Sequence, residues 1–387
     1  MAITGRNESL GGRIRLGMVG GGNDAFIGGV HRIASRIDDK YQLVAGALSS
    51  TPEKSHASAA ALGLDPERSY DNFTLMAEIE ANREDGIEAV SIVTPNHMHY
   101  AAAIEFLRRG IHVICDKPLT STLEEAEKLV KEAEQSDALF ILTHNYTGYP
   151  MIRQANAMIA NGDIGTIRVV QVEYPQDWLT EFADFKQAAW RTDPARSGAG
   201  GSTGDIGTHA FNLASFVTGL ELESLAADLQ SFVPGRQVDD NGHIMMRFKG
   251  GARGMLWCSQ VAPGCENSLK LRVFGDKGGL EWCQEDPNYL WYTPFGEPKR
   301  LITRNGAGAG NAAARMSRTP SGHPEGYLEG FANIYSEAAG AILAKRDGSA
   351  PDPAVTYPTV QDGLKGVQFI DACVRSSAAN AAWVTIG

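Results

Sequence analysis

Cysteine is scarce in this sequence of 387 residues, and the five cysteines include no C-x-x-C pair. An odd number at wide spacing fits neither a disulfide framework nor a zinc site. Free thiols are typical of a reducing compartment, so we expect the protein to work in the cytoplasm. The five are Cys115, Cys258, Cys265, Cys283 and Cys373.

Long apolar runs and an excess of basic residues are also missing. No stretch approaches the length needed to cross a membrane. Residues 1–12 lack the apolar segment of a signal peptide, so we expect a flexible tail there. The net charge of −11 argues against partners such as nucleic acid or an anionic membrane. It leaves a dinucleotide open, because backbone N–H groups can hold phosphates.

One glycine-rich turn organises the chain. Residues 14–19 form a short apolar run typical of a buried strand, and Gly20–Gly22 follow at once. A strand, a glycine turn and a helix are the context of a dinucleotide-binding motif. The spacing departs from G-x-G-x-x-G, because Ala25 stands at the third position and the next glycine is Gly28. We therefore interpret residues 23–27 as a turn that carries a three-residue insertion.

The length and the pattern of elements predict two domains of α/β class. Strands alternate with helices up to about residue 145, which predicts a doubly wound parallel sheet, a Rossmann domain, over 13–145. Strand-like segments then follow one another closely, which predicts a second, α+β domain over 146–387 with a large, open, mostly antiparallel sheet. The open face of that sheet is expected to join subunits in a homo-oligomer, a dimer or tetramer. Residues 305–321 show no periodicity and are expected to be functional or mobile.

The end of the predicted second strand bears on the choice of cofactor. Ser49 and Ser50 stand where NAD-binding domains commonly carry an acidic residue for the ribose 2′-hydroxyl. No arginine stands beside them, although Lys54 is near. The pattern favours NAD and leaves NADP open.

Three segments carry side chains suited to chemistry. Lys117 follows a predicted strand, where an ammonium group can stabilise a developing alkoxide. Asp205 and His209 are four residues apart after a run of glycines, so on a helix they share one face, and the carboxylate can orient the imidazole as a general base requires. Arg191 precedes this run. Each feature alone occurs more often in a structural role. His97 and His99 are spaced as a possible metal pair, but no third ligand has suitable spacing, so we expect no metal site.

Together these motifs resemble the Gfo/Idh/MocA oxidoreductase family over nearly the whole chain. The family's Glu-Lys-Pro motif corresponds to Asp116–Pro118, and its Gly-Gly run leading to Asp-x-x-x-His corresponds to Gly200–Gly201 with Asp205 and His209. Its Thr-Pro-Asn-x-x-His stretch corresponds to residues 94–99. The resemblance is greatest to inositol and sugar dehydrogenases. It implies a Rossmann domain, an open-sheet domain and transfer of hydride from a secondary hydroxyl of a cyclic polyol or monosaccharide to NAD⁺.

The resemblance also implies roles for individual residues. His209 would be the general base, Lys117 would bind the reacting oxygen, and Asp205 would hold the substrate or the Lys117–His209 geometry. The expected cofactor contacts are Gly20, Gly22, Asn23, Asp24, Phe26, Ile27, Ser49, Ser50, Lys54, Thr94, Pro95, Asn96, His99, Asp116, Lys117 and Arg191. The expected substrate contacts are Lys117, Tyr146, Trp178, Arg191, Asp205, His209 and, from this subunit or a neighbour, His323.

Two other functions fit the same residues. An NAD-dependent glycosidase would use them for a transient oxidation that permits elimination, and it would release an aglycone without net NADH. A non-catalytic NAD or sugar sensor could share the fold, although the presence of both Lys117 and His209 counts against it.

Overall fold

The computed structural model describes residues 12–23, 25–183 and 186–386. Its N-terminal half is built on a parallel five-stranded sheet with the order β2-β1-β3-β4-β5. The Rossmann sheet predicted from the alternation of strands and helices is therefore confirmed. The elements are β1 (Ile14–Gly20), α1 (Phe26–Ile37), β2 (Tyr41–Ala47), α2 (Pro52–Ala61), α3 (Phe73–Ala81), β3 (Ala89–Val93), α4 (His99–Leu107), β4 (His112–Cys115), α5 (Leu123–Gln135) and β5 (Phe140–Leu142).

The C-terminal half contains a nine-stranded sheet with the order β13-β12-β11-β10-β6-β9-β8-β7-β14. The β6–β9 pair is parallel and the other pairs are antiparallel, so the predicted mostly antiparallel sheet is also confirmed. Strands β13 and β14 were not predicted, because runs of four and two residues are too short to show alternation. The strands are β6 (Ile167–Pro175), β7 (Leu222–Gln230), β8 (Asn241–Phe248), β9 (Arg253–Ser259), β10 (Lys270–Gly275), β11 (Gly278–Cys283), β12 (Tyr289–Pro294), β13 (Arg300–Thr303) and β14 (Val384–Thr385).

Helices cover one face of this second sheet. Apolar side chains of α6, α9 and α12 pack on it and form the largest core of the protein. Alternate residues point to the other face, where Met245 and Met255 are about half exposed. The helices of this half are α6 (Pro150–Ala160), α7 (Lys186–Arg191), α8 (Pro194–Ser197), α9 (Thr208–Thr218), α10 (Asn311–Ala314), α11 (Tyr327–Arg346) and α12 (Val360–Ala378).

Helix α11 returns to the N-terminal sheet. Its residues Ile334, Ala338 and Ile342 share a buried core with Ile14 and other side chains of that sheet. The two halves are thus joined by packing as well as by the chain. Near its beginning, α11 contacts the segment after β5, because Asn333 Nδ2 donates to the Gly148 carbonyl oxygen at 2.7 Å.

The 305–321 segment, expected to be functional or mobile, is tied to both halves. Gly310 N–H donates to Gln154 Oε1 at 2.7 Å, and Arg318 Nε donates to Asp38 at 2.7 Å. Across the described part of the chain, no helix combines the length and the apolar character that crossing a membrane requires.

Candidate active site

The glycine turn lies between β1 and α1, and it is shorter than the sequence suggested. Helix α1 already begins at Phe26, so Phe26 and Ile27 are helical and our interpretation of residues 23–27 as a turn was wrong at its C-terminal end. A Cβ on Gly28 would meet the Gly21 Cα and carbonyl oxygen at 2.4 Å. Gly28 is therefore the glycine that lets the helix pack on the turn. Asp24 lies outside the described residues.

The beginning of α1 fits a phosphate group. Its N-cap residue, Ala25, makes no side-chain hydrogen bond to the first-turn N–H groups, and the first turn contains no acidic residue. Unsatisfied N–H groups and the positive end of the helix dipole attract an anion. Phe26 projects beside them and is 68% exposed. Near the end of β2, Ser49 is half-buried, whereas Ser50 and Lys54 are exposed; their contact with the ribose stays a prediction.

Two loops beyond β3 and β4 are joined by a buried histidine. His99 Nδ1 lies 2.8 Å from the Pro118 carbonyl oxygen, and its Nε2 lies 2.9 Å from that of Thr94. Its side chain is fully buried and holds the two loops together, and the cofactor contact expected of His99 stays a prediction. Asn96 is also buried and donates to the Ser197 carbonyl oxygen. Thr94 and Pro95 keep part of their surface exposed.

Asp205 is the electrostatic centre of the cleft between the loop after β4 and the segment that leads into α9. Its carboxylate accepts hydrogen bonds from Lys117 Nζ at 2.8 Å, Arg191 Nε at 3.2 Å and Gln260 Nε2 at 2.9 Å. Burial opposes ionisation, but the cationic groups of Lys117 and Arg191 hold the pKa of Asp205 well below its usual range. The structure thus brings three of the predicted residues together. It adds Gln260, which sequence reasoning missed because it follows a strand of the other sheet.

A buried carboxylate shapes the glycine run before Asp205. Asp239 accepts from Gly201 N–H at 2.7 Å, from Ser202 Oγ at 2.7 Å and from Thr203 N–H at 2.8 Å. A π-helical turn over Thr203–Gly207 follows and leads into α9, where a regular helix was expected. Such turns often occur at functional sites. Asp239 was not predicted, because nothing in its local sequence indicates this distant contact.

His209 lies at the start of α9 among aromatic rings. Its ring centroid is 4.9 Å from that of Tyr146, 5.5 Å from that of His144 and 6.3 Å from that of Tyr174. Burial, and then the charge of Lys117, lower the pKa of His209 well below its usual value. The imidazole is therefore neutral near pH 7 and able to accept a proton.

Polar groups line the wall beside His209. Tyr146 and Tyr174 join their hydroxyls at 2.5 Å, and Tyr174 donates to Asn267 Oδ1 at 2.7 Å. Trp178 Nε1 donates to Gln176 Oε1 at 2.9 Å. The Arg191 guanidinium lies 4.3 Å from the Trp190 ring centroid and 5.9 Å from that of Trp178. Tyr146, Trp178 and Arg191 thus belong to one region, and their contact with the substrate stays a prediction.

Three predicted or missed residues remain to be placed. His323 has an exposed side chain, and its carbonyl oxygen accepts a hydrogen bond from Arg304. Tyr327 was missed; burial, and then the phenol of Tyr146, raise the pKa of its hydroxyl. His144 was also missed, although its position after β5, at the same sheet edge as Lys117, could have revealed it.

Comparison with known proteins agrees with this geometry. Residues 14–144 match the NAD-binding Rossmann fold of the Gfo/Idh/MocA oxidoreductase family, and residues 152–281 match a C-terminal domain of the same family. The chain belongs to the Gfo/Idh/MocA family.

Several relatives match nearly the whole length of the chain. It is 36% identical over 378 residues to an uncharacterised oxidoreductase, YfiI, of Bacillus subtilis, with 96% of each chain covered. An oxidoreductase from Sinorhizobium meliloti is 69% identical, with a TM-score of 0.90 over 96% of this chain and 99% of the other. An inositol dehydrogenase homologue from Azotobacter vinelandii, solved with NADH and myo-inositol, is 36% identical, with a TM-score of 0.91 over 97% and 98% of the two chains.

Membership confirms the predicted family, fold class and oxidoreductase activity, and the cofactor of this Gfo/Idh/MocA protein is NAD. The glycine turn, the loops after β3 and β4, and Asp205 with His209 then border one cleft. Ligands of doubly wound sheets bind at the carboxyl ends of their strands, so the cofactor is expected at the Rossmann edge of that cleft.

Proposed function

We propose that this protein is an NAD-dependent dehydrogenase that oxidises a secondary hydroxyl of an inositol-like cyclic polyol or monosaccharide. One observation carries the proposal: Lys117 from the Rossmann half and Asp205 from the other half form an ion pair beside the neutral, buried His209. Oxidation of an alcohol removes a proton and a hydride. An unprotonated imidazole can accept the proton, and an ammonium group held by a carboxylate can stabilise the negative charge that develops on the oxygen.

Each side chain has a role that its environment supports. Bound NAD⁺ supplies the hydride acceptor. The imidazole of His209 takes the hydroxyl proton, and Lys117 donates a hydrogen bond to the reacting oxygen as negative charge develops on it. Asp205 holds Lys117 through both its carboxylate and its backbone carbonyl oxygen. Arg191 and Gln260 fix the carboxylate in turn, so that the ammonium group is already oriented before the substrate binds.

The wall of the cleft supports a substrate with many hydroxyl groups. The hydroxyl and amide groups of Tyr146, Tyr174, Asn267 and Gln176 form a connected hydrogen-bond network. The indole of Trp178 supplies an apolar face of the kind that packs on a sugar ring. The relative from Azotobacter vinelandii, solved with myo-inositol, supports this substrate class.

The decisive experiment follows absorbance at the NADH band. Purified protein is mixed with NAD⁺ or NADP⁺ and a panel of inositols, aldoses and glycosides. We expect NADH to form with at least one inositol or aldose, and we expect NAD⁺ to support faster turnover than NADP⁺. Release of an aglycone without net NADH would identify the NAD-dependent glycosidase instead. Binding of NAD⁺ and a polyol with no turnover would favour the sensor.

We further propose a homo-oligomer, a dimer or tetramer, formed through the open face of the nine-stranded sheet. This face exposes side chains of a size usually buried, among them Met245, Met255 and Trp291. The proposed compartment is the cytoplasm, which is supported by the five free cysteines.

A further inference from the structure

Among the residues that the structure describes, His144 and His209 each carry a buried nitrogen without a hydrogen-bond partner. The Nδ1 atoms of both rings are inaccessible to solvent and unpaired among the described residues. The two rings meet edge to face, with centroids 5.5 Å apart. Buried polar atoms in proteins are nearly always paired, so two orphan atoms on adjacent rings in one site call for an explanation.

The role proposed for His209 makes its Nδ1 atom important. A neutral imidazole carries one hydrogen, and it can accept a proton at Nε2 only in the tautomer that has this hydrogen on Nδ1. Among the described residues, Nδ1 finds no acceptor, and an unpaired buried N–H group is costly. Histidine bases usually have this second nitrogen held by an acceptor that fixes the tautomer.

The other neighbours of His209 do not supply that acceptor. The Tyr146 and Tyr174 hydroxyls bond to each other, and Tyr174 passes its hydrogen on to Asn267. Asp205 is occupied by Lys117, Arg191 and Gln260. The neutral ring of His144 offers a lone pair, because burial, and then the charge of Lys117, lower its pKa to about 3.

We propose that His144 is a positioning residue whose Nδ1 accepts a hydrogen bond from His209 Nδ1–H, which fixes the reactive tautomer and stabilises the imidazolium. The inference rests on the proposed function. In that reaction the substrate O–H bond breaks and its proton binds to His209 Nε2, while hydride from the same carbon reduces NAD⁺ and the alcohol becomes a ketone. Two rings at the observed separation come within hydrogen-bonding distance when their nitrogens turn toward one another. Catalytic hydrogen bonds commonly tighten in this way only in the reacting complex.

The test compares two substitutions at one position. In His144→Asn the side-chain oxygen can occupy the place of Nδ1 and accept the bond, whereas His144→Leu removes the acceptor at similar volume. We expect H144L to lower kcat at pH 7 about tenfold with little change in KM, because a hydrogen bond to a charged group is lost. The acid limb of the kcat/KM profile should move to lower pH by about one unit in H144L, and H144N should remain near the wild type.

The pH profile distinguishes positioning from a purely structural role. The groups that act on His209 are Lys117, Asp205, His144 and the phenols of Tyr146 and Tyr174, and only His144 is altered. An unchanged acid limb and kcat in H144L would overturn the inference, as would equal losses in H144N and H144L. If H144L does not fold, as judged by thermal melting, His144→Gln replaces it, because its oxygen lies beyond the Nδ1 position.

A parallel measurement on His209→Asn separates this inference from the proposed function. If H209N keeps full turnover, the proposed base is wrong. If H209N loses turnover while H144L does not, only the role of His144 is wrong.

Discussion

Lys117 and Asp205 are 88 residues apart in the sequence, yet Lys117 Nζ donates to Asp205 Oδ1 at 2.8 Å and to the Asp205 carbonyl oxygen at 2.6 Å. Their side chains keep only 14% and 16% of their exposure. The pair joins the loop after β4 to the π-helical turn before α9. Because the loop belongs to the N-terminal half and the turn to the C-terminal half, this contact links the two halves at the cleft.

Replacement of Lys117 by methionine should lower turnover much more than it lowers NAD⁺ affinity. The variant keeps the aliphatic stem but cannot donate to the reacting oxygen, so we expect kcat to fall by about 10²–10³-fold. NAD⁺ affinity, measured by quenching of protein fluorescence, should fall much less than kcat, because Lys117 is one of many expected cofactor contacts. Lys128→Met is the matched control, because Lys128 pairs with Glu124 on the exposed surface of α5. Turnover in K117M near that of K128M would contradict the role of Lys117.

His209→Asn should abolish most of the turnover. Removal of a general base typically costs about 10²–10⁴-fold in rate, whereas cofactor affinity should remain close to that of the wild type. The measurement is steady-state NADH formation with the best substrate of the panel. A loss confined to KM would indicate that His209 only binds the substrate.

The sequence predicted the parts of this site that obey local or topological rules. Lys117, Thr94 and the glycine turn all follow parallel strands, and such strand ends meet at one edge. Phe26 was misplaced because Ala25 provides no capping signal and Gly28–Gly29 weaken the helical pattern; the packing of Gly28 on Gly21 overrides that weakness.

Residues that reach the site through tertiary contacts were beyond prediction. Gln260 is separated from Asp205 by 55 residues, and Asp239 lies in a loop whose composition gives no hint of its buried hydrogen bonds. Their positions depend on how β8 and β9 pair and on where α9 crosses the sheet. Those relations arise from packing of the second core, which no pattern within a single segment encodes.

Buried histidines should make the protein sensitive to mild acid. Burial is the main cause that lowers the pKa of His31 from 6.5 to about 4, so the unfolded chain binds a proton in this range and the folded protein does not. Stability should fall as the pH drops from about 6.5 to 4, by about 3 kcal/mol for this residue. Urea unfolding at several pH values should show a shallower fall in His31→Gln. Equal slopes in the two proteins would contradict the assignment.

The proposed subunit interface can be tested by charge. Met245 and Met255 lie opposite each other on β8 and β9, and both project from the open face. The double substitution M245E/M255E places two like charges side by side, which should prevent association. We expect light scattering after size exclusion to give the monomer mass for this variant and a dimer or tetramer for the wild type. Leu75→Glu, at an exposed site on α3, is the control and should leave the mass unchanged.

Adjacent glycines in α1 should respond in opposite ways to the same substitution. A Cβ at Gly28 would lie 2.4 Å from the Gly21 Cα and force the glycine turn away from the helix, whereas the nearest atom to a Cβ at Gly29 is Arg32 Nη2 at 4.0 Å. Gly29→Ala should therefore raise stability by about 0.5–1 kcal/mol, the usual gain of alanine over glycine within a helix. Gly28→Ala should lower the melting temperature and weaken NAD⁺ binding, because the strained turn no longer presents its N–H groups to the pyrophosphate. Thermal melting and a fluorescence titration with NAD⁺ measure both effects. Equal NAD⁺ affinity in the two variants would show that the contact between Gly28 and Gly21 does not shape the cofactor site.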